Sequence, residues 1–61
     1  MKRKVLLKHL KKCGCLLLRE GANHSVFFNE TKKKLSTVPR HKEINDILAR
    51  KICKDLEIDL P

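Results

Sequence analysis

The sequence contains no tryptophan or tyrosine and only two phenylalanines, so its core must be built mainly from aliphatic side chains. Its 61 residues suffice for one small domain, which we expect to span residues 1–61. A domain of this size hides only about 60% of its unfolded surface. We therefore expect marginal stability and no deep pocket, and hence no bound cofactor.

Long apolar runs are also missing, because lysines interrupt the leucines of the N-terminal stretch MKRKVLLKHLKK. Because this run is too short and interrupted, we expect neither a signal peptide nor a membrane span. A basic amphipathic helix can lie on a membrane surface. The N-terminal helix has few apolar residues, however, and the strands that follow need those residues to pack against. We expect a cytoplasmic protein without a membrane partner.

The chain has only three cysteines, an odd number: Cys13, Cys15 and Cys53. Zinc sites need paired spacings such as C-x₂-C with a second pair elsewhere, and this chain has neither. Because we expect no leader peptide, we also expect a reducing compartment without disulfides. We expect all three thiols to be half-buried apolar residues and no metal to be bound.

Acidic residues are outnumbered, with 7 against 15 lysines and arginines and a formal net charge of +8. The positive charges are spread over the whole chain. Such a surplus on a small body favours a polyanionic partner, with RNA or DNA first. A solvated, solubilising surface is the alternative interpretation.

The first element predicted from periodicity is a helix over Lys2–Lys12. Leu6, Leu10 and Cys13 recur at i, i+4 and i+7, while lysines cover the other side. Gly14 ends the helix, because glycine readily adopts the left-handed conformation that follows a helix.

Three strands are predicted next: Cys15–Glu20, His24–Asn29 and Leu35–Val38. The first two are separated by the turn Gly21–Asn23, and the third ends at Pro39, which cannot donate to a strand ladder. Because the connections are short, the strands should form an antiparallel meander.

A second helix should begin after Asn45, a preferred N-cap residue, with Asp46 in its first turn. Ile58 and Leu60 can fold back onto the body. An apolar stripe is expected at Ile44, Ile47, Leu48, Ile52 and Leu56. The fold class is therefore α+β in the order α-β-β-β-α, with both helices on one face of a three-stranded antiparallel sheet and the other face open and basic.

His24 stands between the turn and an apolar strand, in the stretch REGANHSVFFN. Imidazole can accept and donate a proton near neutral pH. RNA supplies its own nucleophile, the 2′-OH, so one histidine with nearby cations can promote cleavage without a metal. The alternative is a structural histidine that hydrogen-bonds Asn23 or a backbone carbonyl.

Cationic side chains that suit phosphate lie in two places. Lys32–Lys34 form a basic hairpin connection, which can equally be a solvated turn. Arg40 and His41 follow the third strand, and in a meander that end lies beside the start of the second strand. His24, Arg40 and His41 can therefore converge on one phosphate, although the pairing register is not visible in the sequence.

Four stretches together resemble the HicA-type toxins, small mRNA interferases of bacterial toxin–antitoxin modules: LLKHLKKCG, REGANHSVF, VPRHKEI and LARKICKDLEI. The resemblance implies a fold like that of double-stranded-RNA-binding domains, His24 as the catalytic histidine, mRNA as substrate and a HicB-type antitoxin as partner. We expect RNA contacts from Arg19, Asn23, Lys33, Arg40 and His41. A non-catalytic RNA-binding module of the same fold and a basic protein that binds acidic protein surfaces are the alternatives.

Overall fold

A computed structural model describes all residues from Met1 to Pro61. It confirms the order α-β-β-β-α, and the elements are α1 (Arg3–Lys12), β1 (Cys15–Glu20), β2 (His24–Asn29), β3 (Lys34–Pro39) and α2 (Asp46–Asp55). Helix α1 begins one residue later than predicted because Lys2 is extended and forms a β-bridge with Glu43. Strand β3 is one residue longer at each end.

The three strands form one antiparallel sheet in the order β1-β2-β3, as the short connections predicted. The register places His24 opposite Pro39 and Ser25 opposite Val38. Between β1 and β2 the register shifts at Leu18, a bulge that leaves the remaining strand residues paired.

Both helices contribute to a single core on one face of the sheet. Alternate residues of β2 are buried there, namely Ser25, Phe27 and Asn29. Because successive strand residues point to opposite faces, this alternation assigns each cross-strand row to one face. The ten buried apolar residues are Leu6, Leu10, Cys15, Phe27, Val38, Ile44, Ala49, Ile52, Cys53 and Leu56.

The opposite face of the sheet is open, but it is not basic. One row across the three strands consists of Leu16, Phe28 and Leu35, and the two leucines are 56% and 53% exposed. Arg19 is paired with Val26 in the next row. The expectation of a basic sheet face was therefore wrong, because most of the cations belong to the helices and the connections.

Helix α2 begins as predicted, since the side chain of Asn45 accepts a hydrogen bond from the backbone N–H of Ile47 (2.8 Å). The predicted stripe was wrong at Ile47, whose side chain is 76% exposed. The helix buries Ala49 and Cys53 instead. At about 100° per residue, Ile47 lies roughly 200° from Ala49 and so points away from the core.

Two of the three cysteines are more buried than expected, whereas Cys13 is half-buried as predicted. Cys15 and Cys53 are fully buried, and burial raises the pKa of both thiols. Cys13 is half-buried, and its Sγ lies 3.5 Å from Nε2 of His9. No group of three or more His, Cys, Asp or Glu side chains is close enough to hold a metal ion.

The C-terminal segment packs only in part. Ile58 contacts the core as predicted, whereas Leu60 is 55% exposed. No helix has the length and apolar character needed to cross a membrane.

Asn29→Ala should destabilise the protein by about 1–3 kcal/mol, because it removes the partner of a buried carbonyl. The Asn29 amide donates to the carbonyl of Leu56 at the end of α2 (2.6 Å), and Asn29 is 4% exposed. Urea unfolding measures the loss, with the exposed neighbour Glu30→Ala as control, expected within about 0.5 kcal/mol of the wild type. Equal stability of the two variants would show that this bond contributes nothing.

Candidate active site

The candidate site lies where β2 begins and β3 ends. The pairing of His24 with Pro39 is extended by a hydrogen bond from the Arg40 N–H to the Asn23 carbonyl (3.2 Å). An open depression of about 390 Å³ is lined there by Ala22, Asn23, His24, Arg40 and His41. The structure thus brings together four of the six residues that the sequence predicted for the site.

The turn before His24 is closed by one short backbone contact. The Gly21 N–H donates to the carbonyl of His24 at 2.7 Å. A Cβ at position 21 would lie 3.2 Å from that carbonyl oxygen, which is tighter than ordinary contact. Glycine therefore suits position 21 because the His24 carbonyl oxygen approaches its Cα closely. The other two turn residues, Ala22 and Asn23, do not have a positive φ.

The imidazole of His24 is exposed and makes no hydrogen bond within the chain. Among the three histidines only His9 uses its ring in such bonds, to the Asp59 carbonyl (2.7 Å) and to the Cys13 sulfur. The structural alternative for His24, a ring bonded to Asn23 or to a carbonyl, is not observed. Both ring nitrogens are available to a ligand in the depression.

Arg40 is held beside the depression by Glu20. Its Nη1 lies 3.3 Å from Oε2 of Glu20, and both side chains are about half exposed. The other carboxylate oxygen of Glu20 accepts a hydrogen bond from the hydroxyl of Ser25. Because Glu20 is anchored in this way, it restricts the position of the guanidinium of Arg40 while leaving other N–H groups free to donate.

A second arginine completes this network from α1. Arg3 donates from Nη2 to the Ser25 hydroxyl (2.8 Å) and from Nε to the carbonyl of Pro39 (3.0 Å), the residue before Arg40. Sequence reasoning missed Arg3, Glu20 and Ser25. The strand alternation was the available signal, because it places the polar Ser25 on the buried face, where a hydroxyl needs a partner.

Two of the predicted RNA-binding residues lie elsewhere. Lys33 is in the turn between β2 and β3, whereas His24 is at the opposite end of β2; a six-residue strand spans about 17 Å. Arg19 is paired with Val26 and lines a different depression, beside Thr37 and Lys51. Neither shares the site with His24, so a contact of either with RNA stays a prediction.

The site therefore combines an unbonded imidazole, an oriented guanidinium and a second imidazole around an open depression. Such a set can bind a phosphate and exchange a proton beside it. The carboxylate of Glu20, which holds Arg40, already has both oxygens engaged by Ser25 and Arg40.

No curated protein sequence and no solved structure is significantly similar to the chain. A family model described as "HicA toxin of bacterial toxin-antitoxin" matches residues 3–58, which is nearly the whole of the 61-residue chain. The match includes every residue of the depression and of the network around Arg40. The chain therefore belongs to the HicA toxin family of bacterial toxin–antitoxin systems.

Proposed function

We propose that the chain is an endoribonuclease toxin that cleaves single-stranded mRNA, with His24 as the general acid/base. The observation that carries the proposal is the free imidazole of His24, which lies beside Arg40 and His41 in an open depression. Membership of the HicA toxin family and the net charge of +8 support an RNA substrate.

In the proposed reaction, His24 takes the proton of the ribose 2′-OH, and O2′ attacks the adjacent phosphorus in line. The O2′–P bond forms and the P–O5′ bond breaks, leaving a 2′,3′-cyclic phosphate on one product. The departing O5′ receives a proton and becomes a hydroxyl. Because in-line attack puts O5′ on the side of the phosphorus away from O2′, the protonated imidazole returns its proton to O5′ through a water molecule.

Arg40 stabilises the charge that develops on the non-bridging phosphate oxygens, and His41 adds a contact to the same phosphate. Guanidinium groups suit this role because their N–H groups match the geometry of two phosphate oxygens. Glu20 and Arg3 are positioning residues. Glu20 holds the guanidinium of Arg40, and Arg3 holds the carbonyl of Pro39, the residue before Arg40. Removal of one such donor typically costs a factor of about 10²–10³ in rate.

None of the three cysteine side chains is better suited than the ribose 2′-OH to act as the nucleophile. Burial raises the pKa of the Cys15 and Cys53 thiols, so the reactive thiolate is disfavoured in both. Cys13 lies beyond the last turn of α1 and contacts His9, outside the depression around His24. The nucleophile in the proposal is therefore the substrate's own hydroxyl.

We also propose that a HicB-type antitoxin neutralises the chain by covering the depression around His24. The depression is open, so a protein surface can block it without entering a deep pocket. Membership of the HicA toxin family supports both this partner and a cytoplasmic location, which are part of the proposal.

Purified protein should cut single-stranded RNA in excess EDTA at a rate within about threefold of the rate with magnesium, because the proposed site draws on an imidazole and a guanidinium for its charge stabilisation. The product ends should carry a 2′,3′-cyclic phosphate or the monophosphate formed when it opens. Mass spectrometry of the fragments checks both. His24→Ala protein purified in parallel controls for contaminating ribonuclease, and a strict magnesium requirement would refute the proposed mechanism.

A further inference from the structure

A second depression, larger than the one around His24, lies beside the start of α1. Its volume is about 630 Å³, and cations make up five of its seven lining residues. The lining consists of Lys2, Arg3, Lys4, Leu7, Arg40, Lys42 and Glu43. We call the part formed by Lys2, Lys4, Arg40 and Lys42 the basic groove.

The lysines of the basic groove have no counter-charge within the chain. Lys2, Lys4 and Lys42 are exposed, and none takes part in any of the five salt bridges. The one carboxylate of the lining, that of Glu43, lies 3.6 Å from the Met1 ammonium. Three like charges without partners repel one another, and an anionic ligand would relieve that repulsion.

Backbone bonds fix the walls of the groove. The Arg3 N–H donates to the Lys42 carbonyl (2.8 Å), the Ile44 N–H donates to the Met1 carbonyl (2.7 Å), and Lys2 forms a β-bridge with Glu43. The start of α1 and the segment after β3 are thus held together as a pair. The lysines project from a preformed surface, so a ligand need not order it.

The groove is continuous with the candidate active site, because Arg40 lines both depressions. We propose that the basic groove binds the backbone phosphates of RNA next to the scissile bond, an inference that rests on the proposed function. Lysine ammonium groups act here as point charges on phosphate, so the groove supplies affinity and register without reading bases.

The test compares two triple variants with the same change in charge. One is Lys2→Gln/Lys4→Gln/Lys42→Gln in the groove; the control is Lys8→Gln/Lys11→Gln/Lys12→Gln, exposed lysines further along α1 and its end. The probe is a fluorescein-labelled single-stranded RNA with 2′-O-methyl on every sugar, and Kd is measured by anisotropy at several salt concentrations.

The groove variant should make the negative slope of log K against log salt shallower by about 2, since each of the three contacts to single-stranded RNA contributes about −0.7 to it. If the curves meet at 1 M salt, this corresponds to about 100-fold weaker binding at 0.1 M salt. The control should change the slope by less than half as much. Equal slopes and affinities for the two variants would overturn the proposal and reduce the groove to general surface charge.

Two further measurements keep the result unambiguous. Replacing the same three lysines with arginine retains the charge and should restore the slope, which separates loss of phosphate contacts from any loss of structure. The 2′-O-methyl probe lacks the proposed nucleophile, so binding is measured whether or not the protein cleaves RNA. If the protein does not cleave RNA, the binding result for the groove still stands. If the groove does not bind RNA, the proposed cleavage by His24 can still be correct. With cleavable RNA, the loss in the groove variant should appear in KM.

Discussion

His24→Ala should lower RNA cleavage by about 10²–10⁴-fold and remove growth arrest on expression, while the protein stays folded. The size of the loss is that of a general acid/base taken from its position. The fold should be unaffected because the ring is exposed and makes no hydrogen bond within the chain. Single-turnover cleavage of a defined RNA measures the rate, and circular dichroism checks the structure.

Two variants sharpen this result. His24→Gln can still donate and accept hydrogen bonds but does not exchange protons near neutral pH, so it should be as inactive as His24→Ala. His9→Ala is the matched control, because its ring bonds to the Asp59 carbonyl on another part of the surface. His24 would be eliminated as the catalytic residue if the His24→Ala variant cleaved RNA at the wild-type rate and arrested growth as strongly as the wild type at matched expression.

The outline of the site was predictable because it depends on local patterns. The turn Gly21–Asn23 set the start of β2, and a meander with short connections brings the end of β3 to that start. His24, Arg40 and His41 were therefore expected to converge, and the structure places them around one depression. The same topology places Lys33 at the far end of β2, away from this depression, so a contact of Lys33 with RNA stays a separate prediction.

Strand alternation marked Ser25, but the rest of the network around Arg40 was not predictable, because it joins residues that are distant in sequence. Arg3 belongs to α1, yet it reaches Ser25 on β2 and the carbonyl of Pro39 on β3. Its position depends on how α1 crosses the sheet, which periodicity does not specify. Ile47 illustrates the same limit on α2: the apolar pattern allowed two overlapping stripes, and packing selected the one with Ala49 and Cys53.

Arg40 connects the two proposals. It lines the depression around His24 and the basic groove, and Glu20 holds it through a side chain that Ser25 anchors. A phosphate bound by Arg40 would therefore be placed relative to His24 by the sheet, while the lysines of the groove would hold the neighbouring phosphates. This division separates rate from affinity, so variants of His24 and of the groove should affect different kinetic constants.

A single 2′-deoxy sugar placed just 5′ of the scissile bond should abolish cleavage at that bond. The site offers no activated thiol, since burial raises the pKa of the Cys15 and Cys53 thiols, and Cys13 lies outside the depression. The attacking oxygen in the proposed reaction is the 2′-OH, which only ribose carries. DNA of the same sequence should accordingly bind with weaker or similar affinity but resist cleavage throughout.

The deciding measurement uses three oligoribonucleotides of one sequence that are separated by denaturing electrophoresis after reaction. The first has no substitution, the second has the 2′-deoxy sugar at the scissile position, and the third has it two nucleotides away. The first and third should be cut at similar rates, whereas the second should lose at least about 10³-fold, because its sugar has no oxygen to attack the phosphorus. Competition binding with all three should give similar Kd values, since the phosphates that contact Arg40 are unchanged. Efficient cleavage of the second oligonucleotide at the substituted position would require water as the nucleophile, and His24 would then have to activate that water instead of the ribose hydroxyl.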